Sequence, residues 1–332
     1  MPAKQDPAQV KSKPKPKGSP PIRCFTLADC ALVSIWLLLM AVVYYAGAAL
    51  NRTFLDWAVF GGAVLCAANS RWHDAWTAVI AIPFFCLGVL LRMPILSAAL
   101  LALGCGGVLL LTYRTIRGSR IDRQNLRIGA ALPMFVIFVA IANAEIVHFT
   151  PHVQDALLLK TDFGISAALC RWTLTYPVLP VIVDVCYEAL PLVVVIAIAS
   201  SAGKDRVQLL WSLCLAALLA VPCYLLLPAA GPVHASQPDA PRNCMPSLHL
   251  TWAALLWINE RRGWLRRFFL VFTGITAFAT LATGEHYVID LIAAIPFTWA
   301  VHRLGVYAAR WPASSLWWIS PAIRQQDSAG DP

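Results

Sequence analysis

The chain has 332 residues, 59% of them apolar and only 13% charged, with a mean hydropathy of +0.67. That is more apolar side chain than a globular core buries, so lipid must solvate much of the protein, and a wholly water-soluble fold is excluded. The net charge of +9 does not indicate nucleic acid, because the basic residues sit in short clusters between apolar runs and form no single stripe with interleaved aromatics.

Residues 1–25 are rich in Lys and Pro with almost nothing to bury, and are expected to form a disordered tail that carries no cleavable signal. Long unbroken apolar runs follow, which favour helices over the alternating pattern of a membrane barrel. Ten spans are expected, at 26–50, 54–69, 75–91, 94–113, 128–147, 179–201, 207–228, 247–260, 268–284 and 286–305. The expected fold is therefore all-α, a polytopic integral membrane protein. A four-helix region over 26–113 is joined by a basic linker, 114–127, to a six-helix catalytic membrane domain, 128–305, and a cytoplasmic tail, 306–332.

With the N-terminus inside, only Arg52, Arg92, Lys160, Arg171 and Arg242 of the 26 Lys and Arg fall outside, which puts both termini in the cytoplasm. The outer loop 148–178 is too polar to span, but Leu157, Leu158, Leu159, Phe163, Ile165 and Trp172 suit it to lie at the interface and roof a site. Most of the ten cysteines fall in apolar runs without metal-type spacing and read as small apolar side chains. Cys170 and Cys244 share the outer side, and the sequence leaves their pairing open.

Two outer histidines stand in sharply patterned contexts, His249 in RNCMPSLHL (242–250) and His286 in TGEHYVIDL (283–291). A helix is expected to begin in each, with Pro246 at the first position of one and Thr283 as N-cap of the other. Two helix N-termini on one side favour an anion, and Arg242 adds a fork suited to phosphate. The spacing of His286 and Asp290, i and i+4, lets the carboxylate hold one ring nitrogen and leave the other as nucleophile or base. His249 can then give a proton to the departing oxygen. If Arg242 and the helix ends carry the phosphate charge, no metal or cofactor is required.

The other polar groups admit plainer readings. His148, His152 and His234 read as interfacial side chains, and Glu285 as a partner of a helix dipole. Asp184, Tyr187 and Glu188 share a face of the sixth span near Glu145, and either line a head-group cavity or pair with one another. A zinc site of His234, His249, His286 and Asp290 lacks an HExxH-type core, and a transporter would want an internal repeat that is not found.

The ordered pair PSLH (246–249) and HYVID (286–290) resembles the signature of the type 2 phosphatidic acid phosphatase superfamily. The resemblance covers roughly 130–305 and implies a six-helix core with its site on the non-cytoplasmic face. It also implies that His286 forms a phosphohistidine, Asp290 orients it, His249 is the general acid, and Arg242 and Ser247 contact phosphate. Asn243 and Tyr187 join them as substrate-binding candidates.

Phosphatase members carry a Lys before the first motif and a Ser-Arg before the last His. Here the loop 229–245 has no Lys, and Ala279 and Thr280 stand at the second place. MPSLH with GEHYVID is closer to the inositol phosphorylceramide synthase-like (inositolphosphotransferase) branch, which Asp155, Asp162, Gly164, Arg171, Pro180 and Tyr187 also resemble. The implied partners are a lipid phosphate ester and membrane lipids, not nucleic acid. The implied activity is head-group transfer, with simple lipid phosphate hydrolysis, of the phosphatidic acid or polyprenyl diphosphate type, as the alternative. The sequence leaves the oligomeric state open.

Overall fold

The computed structural model describes residues 75–117, 153–201, 203–235 and 242–310, with short pieces at 60, 63–64, 138–139, 141–143 and 145–150. Ten helices of seven or more residues lie there: α1 (Ala75–Leu90), α2 (Ile95–Arg117), α3 (Asp155–Thr161), α4 (Ile165–Leu174), α5 (Leu179–Glu188), α6 (Leu190–Ser200), α7 (Gly203–Leu226), α8 (Leu248–Asn259), α9 (Gly263–Ala282) and α10 (Val288–Arg310). No strand occurs among the described residues. The expected spans 26–50 and 54–69, the tail 1–25 and residues 118–137 and 311–332 fall outside this set, apart from Phe60, Ala63 and Val64.

Of the described helices, α7, α9 and α10 are long and apolar enough to cross a membrane, and the pair α4–α5, bent by 119°, makes a fourth if it counts as one broken span. The expectation of ten spans is not reached by these helices. α8 shows why: its 12 residues rise only about 18 Å, short of a hydrocarbon layer of about 30 Å. The expected span 179–201 is divided at Ala189 into α5 and α6. Pro191 has no N–H to give to the carbonyl of Tyr187, and its ring crowds that carbonyl, so the helical ladder is interrupted there. α2 runs on to Arg117, inside the expected linker, and α10 to Arg310, inside the expected tail.

The main core lies where α6, α7, α8, α9 and α10 meet, around Ile198, Leu213, Leu255, Leu256, Phe269 and Val301, all buried. Leu100 and Leu103 of α2 pack against it, and Phe60 stacks on Trp252 at 6.2 Å. α7 and α10 approach closely at Gly305, whose missing Cβ leaves room for Ser212. Buried hydroxyls inside the bundle are satisfied by their own helices: Ser212, Thr251 and Thr276 each donate to the carbonyl four residues back, at 2.8–2.9 Å. The outer faces are apolar, with Trp264 and Val271 on α9 and Ile295 and Trp299 on α10 exposed, as lipid contact requires.

Candidate active site

Both histidines stand at helix starts at one end of the bundle. Segment 242–247 enters α8 after a cis Met245–Pro246 peptide, and Ser247, not Pro246, sets the helix start. Its backbone is extended, and its Oγ accepts the N–H of Leu250 at 3.4 Å, an N-cap that leaves His249 in the first turn. Thr283, expected as the other N-cap, instead closes α9, donating its N–H to the carbonyl of Ala279. α10 begins only at Val288, where Asp290 reaches back to accept the Tyr287 N–H at 2.8 Å, half of a capping box.

His286 therefore lies ahead of the helix and shares no helical face with Asp290. The two side chains meet all the same, with Nδ1 of His286 3.4 Å from Oδ2 of Asp290, both groups buried. Glu285, likewise ahead of the helix, faces His234, whose Nε2 is 3.0 Å from its Oε1. That pairing takes His234 away from the zinc set considered above. The two motif segments are tied directly, because the N–H of Ser247 donates to the carbonyl of Asp290 at 3.3 Å. The rings of His249 and His286 then stand 6.4 Å apart at 64°.

Tyr187, near the end of α5, stacks on His249, ring centroids 4.1 Å apart, with its hydroxyl 3.2 Å from Nδ1. Nε2 of His249 is the nitrogen left to face a reactant. Asp184 and Glu188, on the same helix, are exposed. Arg242 is buried, only 6% exposed, and Asn243 is half-buried beside it.

Two carboxylates that bind the site together were not singled out as site residues from the sequence. Asp155, buried, accepts the N–H groups of Ala230 and Gly231 at 3.0–3.2 Å and the hydroxyl of Tyr287 at 2.9 Å. Asp162, 1% exposed, accepts Ser166 N–H (2.9 Å), Ser166 O–H (2.8 Å) and the N–H of Val288 (2.7 Å), the first residue of α10. The segment expected to roof the site thus grips the residues on the C-terminal side of His286. Gly231, at φ 91°, passes so close to the carbonyl of Glu285 that no Cβ fits.

Cys244, His286 and Asp290 place one ligand atom each within 4.8 Å of one another, a grouping that could hold a metal ion. Cys244 donates to the carbonyl of Glu285 at 3.1 Å, and burial, then nearby Asp290, Asp155 and Glu285, push its pKa well up, so a metal ion would have to displace that proton to take the thiolate. Cys170 and Cys244 are both free thiols.

Residues 159–243 and 237–304 match the family model of the PAP2 superfamily. The match supports that superfamily, whose members are phosphatases and phosphotransferases, for the part of the chain that carries both histidines. No curated protein and no solved structure matches the chain.

Proposed function

We propose that this protein is a membrane-embedded phosphotransferase that acts on a lipid phosphate ester through a phosphohistidine, as inositol phosphorylceramide synthase-like head-group transferases do. The observation that carries the reading is the buried pair His286 and Asp290 facing His249 across 6.4 Å, the two helix starts tied to each other. Oδ2 of Asp290, 3.4 Å from Nδ1 of His286, orients the ring electrostatically, so Nε2 is the nitrogen that attacks phosphorus. As the N–P bond forms, the P–O ester bond breaks, and His249 in its doubly protonated form gives its Nε2 proton to the departing oxygen, which leaves the neutral ring. An acceptor hydroxyl, losing its proton to His249, then attacks phosphorus and releases His286. With water as acceptor the same steps make a lipid phosphate phosphatase.

Burial of Arg242, His286 and Asp290 restricts water and favours the transferase. Arg242 and the N–H groups at the start of α8 take the phosphate charge without a metal, with Ser247 and Asn243 alongside. The basic-residue asymmetry, counted over ten spans, supports a site on the extracytoplasmic face of the cell membrane with both termini in the cytoplasm.

The test supplies purified protein with lipid phosphate esters labelled at phosphorus. Acid-labile label should attach to the protein, vanish in His286→Ala, and end in a new lipid when an acceptor lipid is present. Label that ends only as free phosphate or free head-group phosphate would make the enzyme a hydrolase. A turnover that survives in His286→Ala would remove the reading.

A further inference from the structure

Between α3 and α4 the roof segment turns through Phe163, which stands in the left-handed region at φ 52°, with Gly164 following at φ 73°. A bulky side chain is an outlier there, where Gly or Asn is at ease. The ring is nonetheless almost bare. At 88% it is the most exposed of the large apolar side chains among the described residues. In water the position would be unfavourable twice over, in backbone conformation and in exposed apolar surface.

Leu159 and Ile165, on either side of the turn, are exposed at 47% and 51%, and the exposed Lys160 follows Leu159. An apolar tip with a cation beside it is the pattern of a segment seated at a bilayer interface, the ring among acyl chains and the ammonium among phosphates. Farther along the chain, the exposed Trp172 and Tyr176 pack edge to face at 5.7 Å, and such amphipathic aromatics favour the head-group level.

The level of the tip is set by its neighbour. Asp162, 1% exposed, accepts the N–H of Val288 at 2.7 Å, so the turn lies against the first residue of α10. α10 has 23 residues and rises about 34 Å, slightly more than a hydrocarbon layer of about 30 Å, which puts Val288 near the edge of that layer. Phe163 is one residue from this hydrogen bond, so its outward ring meets the same edge.

We propose that Phe163, with Leu159 and Ile165, is a membrane anchor that inserts at the hydrocarbon edge of the leaflet on the histidine side, and that this seat keeps Asp162 on the Val288 N–H. The bilayer is the partner because the tip is apolar with a cation suited to lipid phosphate, and because α4 packs on α9, whose outer face is already apolar. Val288 lies two residues after His286, so the lipid surface takes part in holding the loop that carries the nucleophile.

Two measurements on the full chain, in nanodiscs of phosphatidylcholine with phosphatidylglycerol, test the anchor. A photoreactive p-benzoylphenylalanine placed at 163 should form a covalent adduct with lipid on illumination, identified by its mass. Adducts with protein alone, from this chain or a second copy, or no adduct at all, overturn the lipid partner. Hydrogen exchange of the Val288 amide reads its bond to Asp162 directly. Asn suits the left-handed backbone better than Phe but has no affinity for acyl chains. In Phe163→Asn the Val288 amide should therefore exchange about tenfold faster than in wild type, the lower end of what burying a Phe side chain is worth, while Phe163→Leu stays within about threefold. Unchanged or slower exchange in Phe163→Asn overturns the anchor, since the ring would then serve only the turn. Equal exchange across α7 in all variants separates a local effect from misfolding. Neither readout requires turnover, so failure of the anchor and failure of the proposed reaction are distinguishable.

Discussion

Replacing Asp162 by Asn keeps the size of the side chain and removes one of its two acceptor oxygens. The carboxylate now accepts three hydrogen bonds, from Ser166 N–H, Ser166 O–H and Val288 N–H, and is 1% exposed. An amide puts an NH₂ against a donor, so at least one buried N–H loses its acceptor, at about 1–3 kcal/mol, and a hydrogen bond to a charged group goes with it, about 1.5–3 kcal/mol. Some relaxation is available at the exposed Phe163 turn, so a total of about 2–4 kcal/mol is expected in unfolding stability. The catalytic consequence is separate, because Val288 stands two residues after His286. Released from Asp162, the start of α10 can shift by a fraction of an ångström to 1 Å, and misplacement of a nucleophile by 1 Å lowers turnover by about 100-fold. The assay is kcat and KM on one lipid ester, with trapped phosphoenzyme measured alongside. Turnover and adduct formation should fall together with KM little changed, and a substrate with a better leaving group should not restore them, since the fault lies in the attacking ring. Asp162→Asn with kcat within about twofold of wild type would refute the claim that the roof segment positions His286.

Tyr187→Phe should keep the ring stacked on His249 and lose the hydroxyl at Nδ1, lowering turnover of alkyl esters up to about tenfold while sparing nitrophenyl esters, which need little acid help. Equal losses on both substrates would detach Tyr187 from the acid. In the connection after α8, burial raises the Glu260 carboxyl, but hydrogen bonds from Arg262 at 2.6–2.9 Å outweigh it and hold the group below its ordinary 4.5. Its contribution to stability should thus be complete above that value and disappear as pH falls through the lowered one. Melting temperatures of wild type and Glu260→Gln, compared from pH 7 downward, should converge only in acid. Gly305→Ala gains about 1 kcal/mol of helix propensity but drives a methyl into Ser212, at about 1–3 kcal/mol, so thermal unfolding should show net destabilisation; a stabilised variant would mean that α7 and α10 can part.

The motif pair was legible because its chemistry is local in sequence, and what could not be read was local geometry and long-range contact. His286 and Asp290 were paired by i,i+4 spacing on a helix, yet α10 starts at Val288 and the pairing arises from a capping residue turned back toward the preceding loop. The two side chains meet because four residues are close on either path, whereas Thr283 as N-cap fails because the same hydroxyl and N–H equally well close the preceding helix, donating to Ala279. Pro191 did announce the break in 179–201, but a hydropathy window averages over a missing N–H. The overall length of α7, α9 and α10 follows from their apolar runs, which lipid and core both reward; the expected span 247–260 is itself short of a bilayer, and Ser247 capping one end with Glu260 turning away at the other hold α8 to 12 residues. Asp155 and Asp162 enter the sequence reading only through the resemblance to the inositolphosphotransferase branch, with no role attached. Apart from Ser166, four residues from Asp162, their partners lie 75, 76, 126 and 132 residues away, and a lone Asp in a polar loop reads as solvated until the fold encloses it. The roof segment was expected to cover a site through its apolar patches. The structure ties it down through its two buried carboxylates, while Leu157, Leu159, Phe163 and Ile165 remain exposed for lipid. A buried carboxylate without its donors is costly, so those hydrogen bonds couple closure of the roof to correct placement of His286.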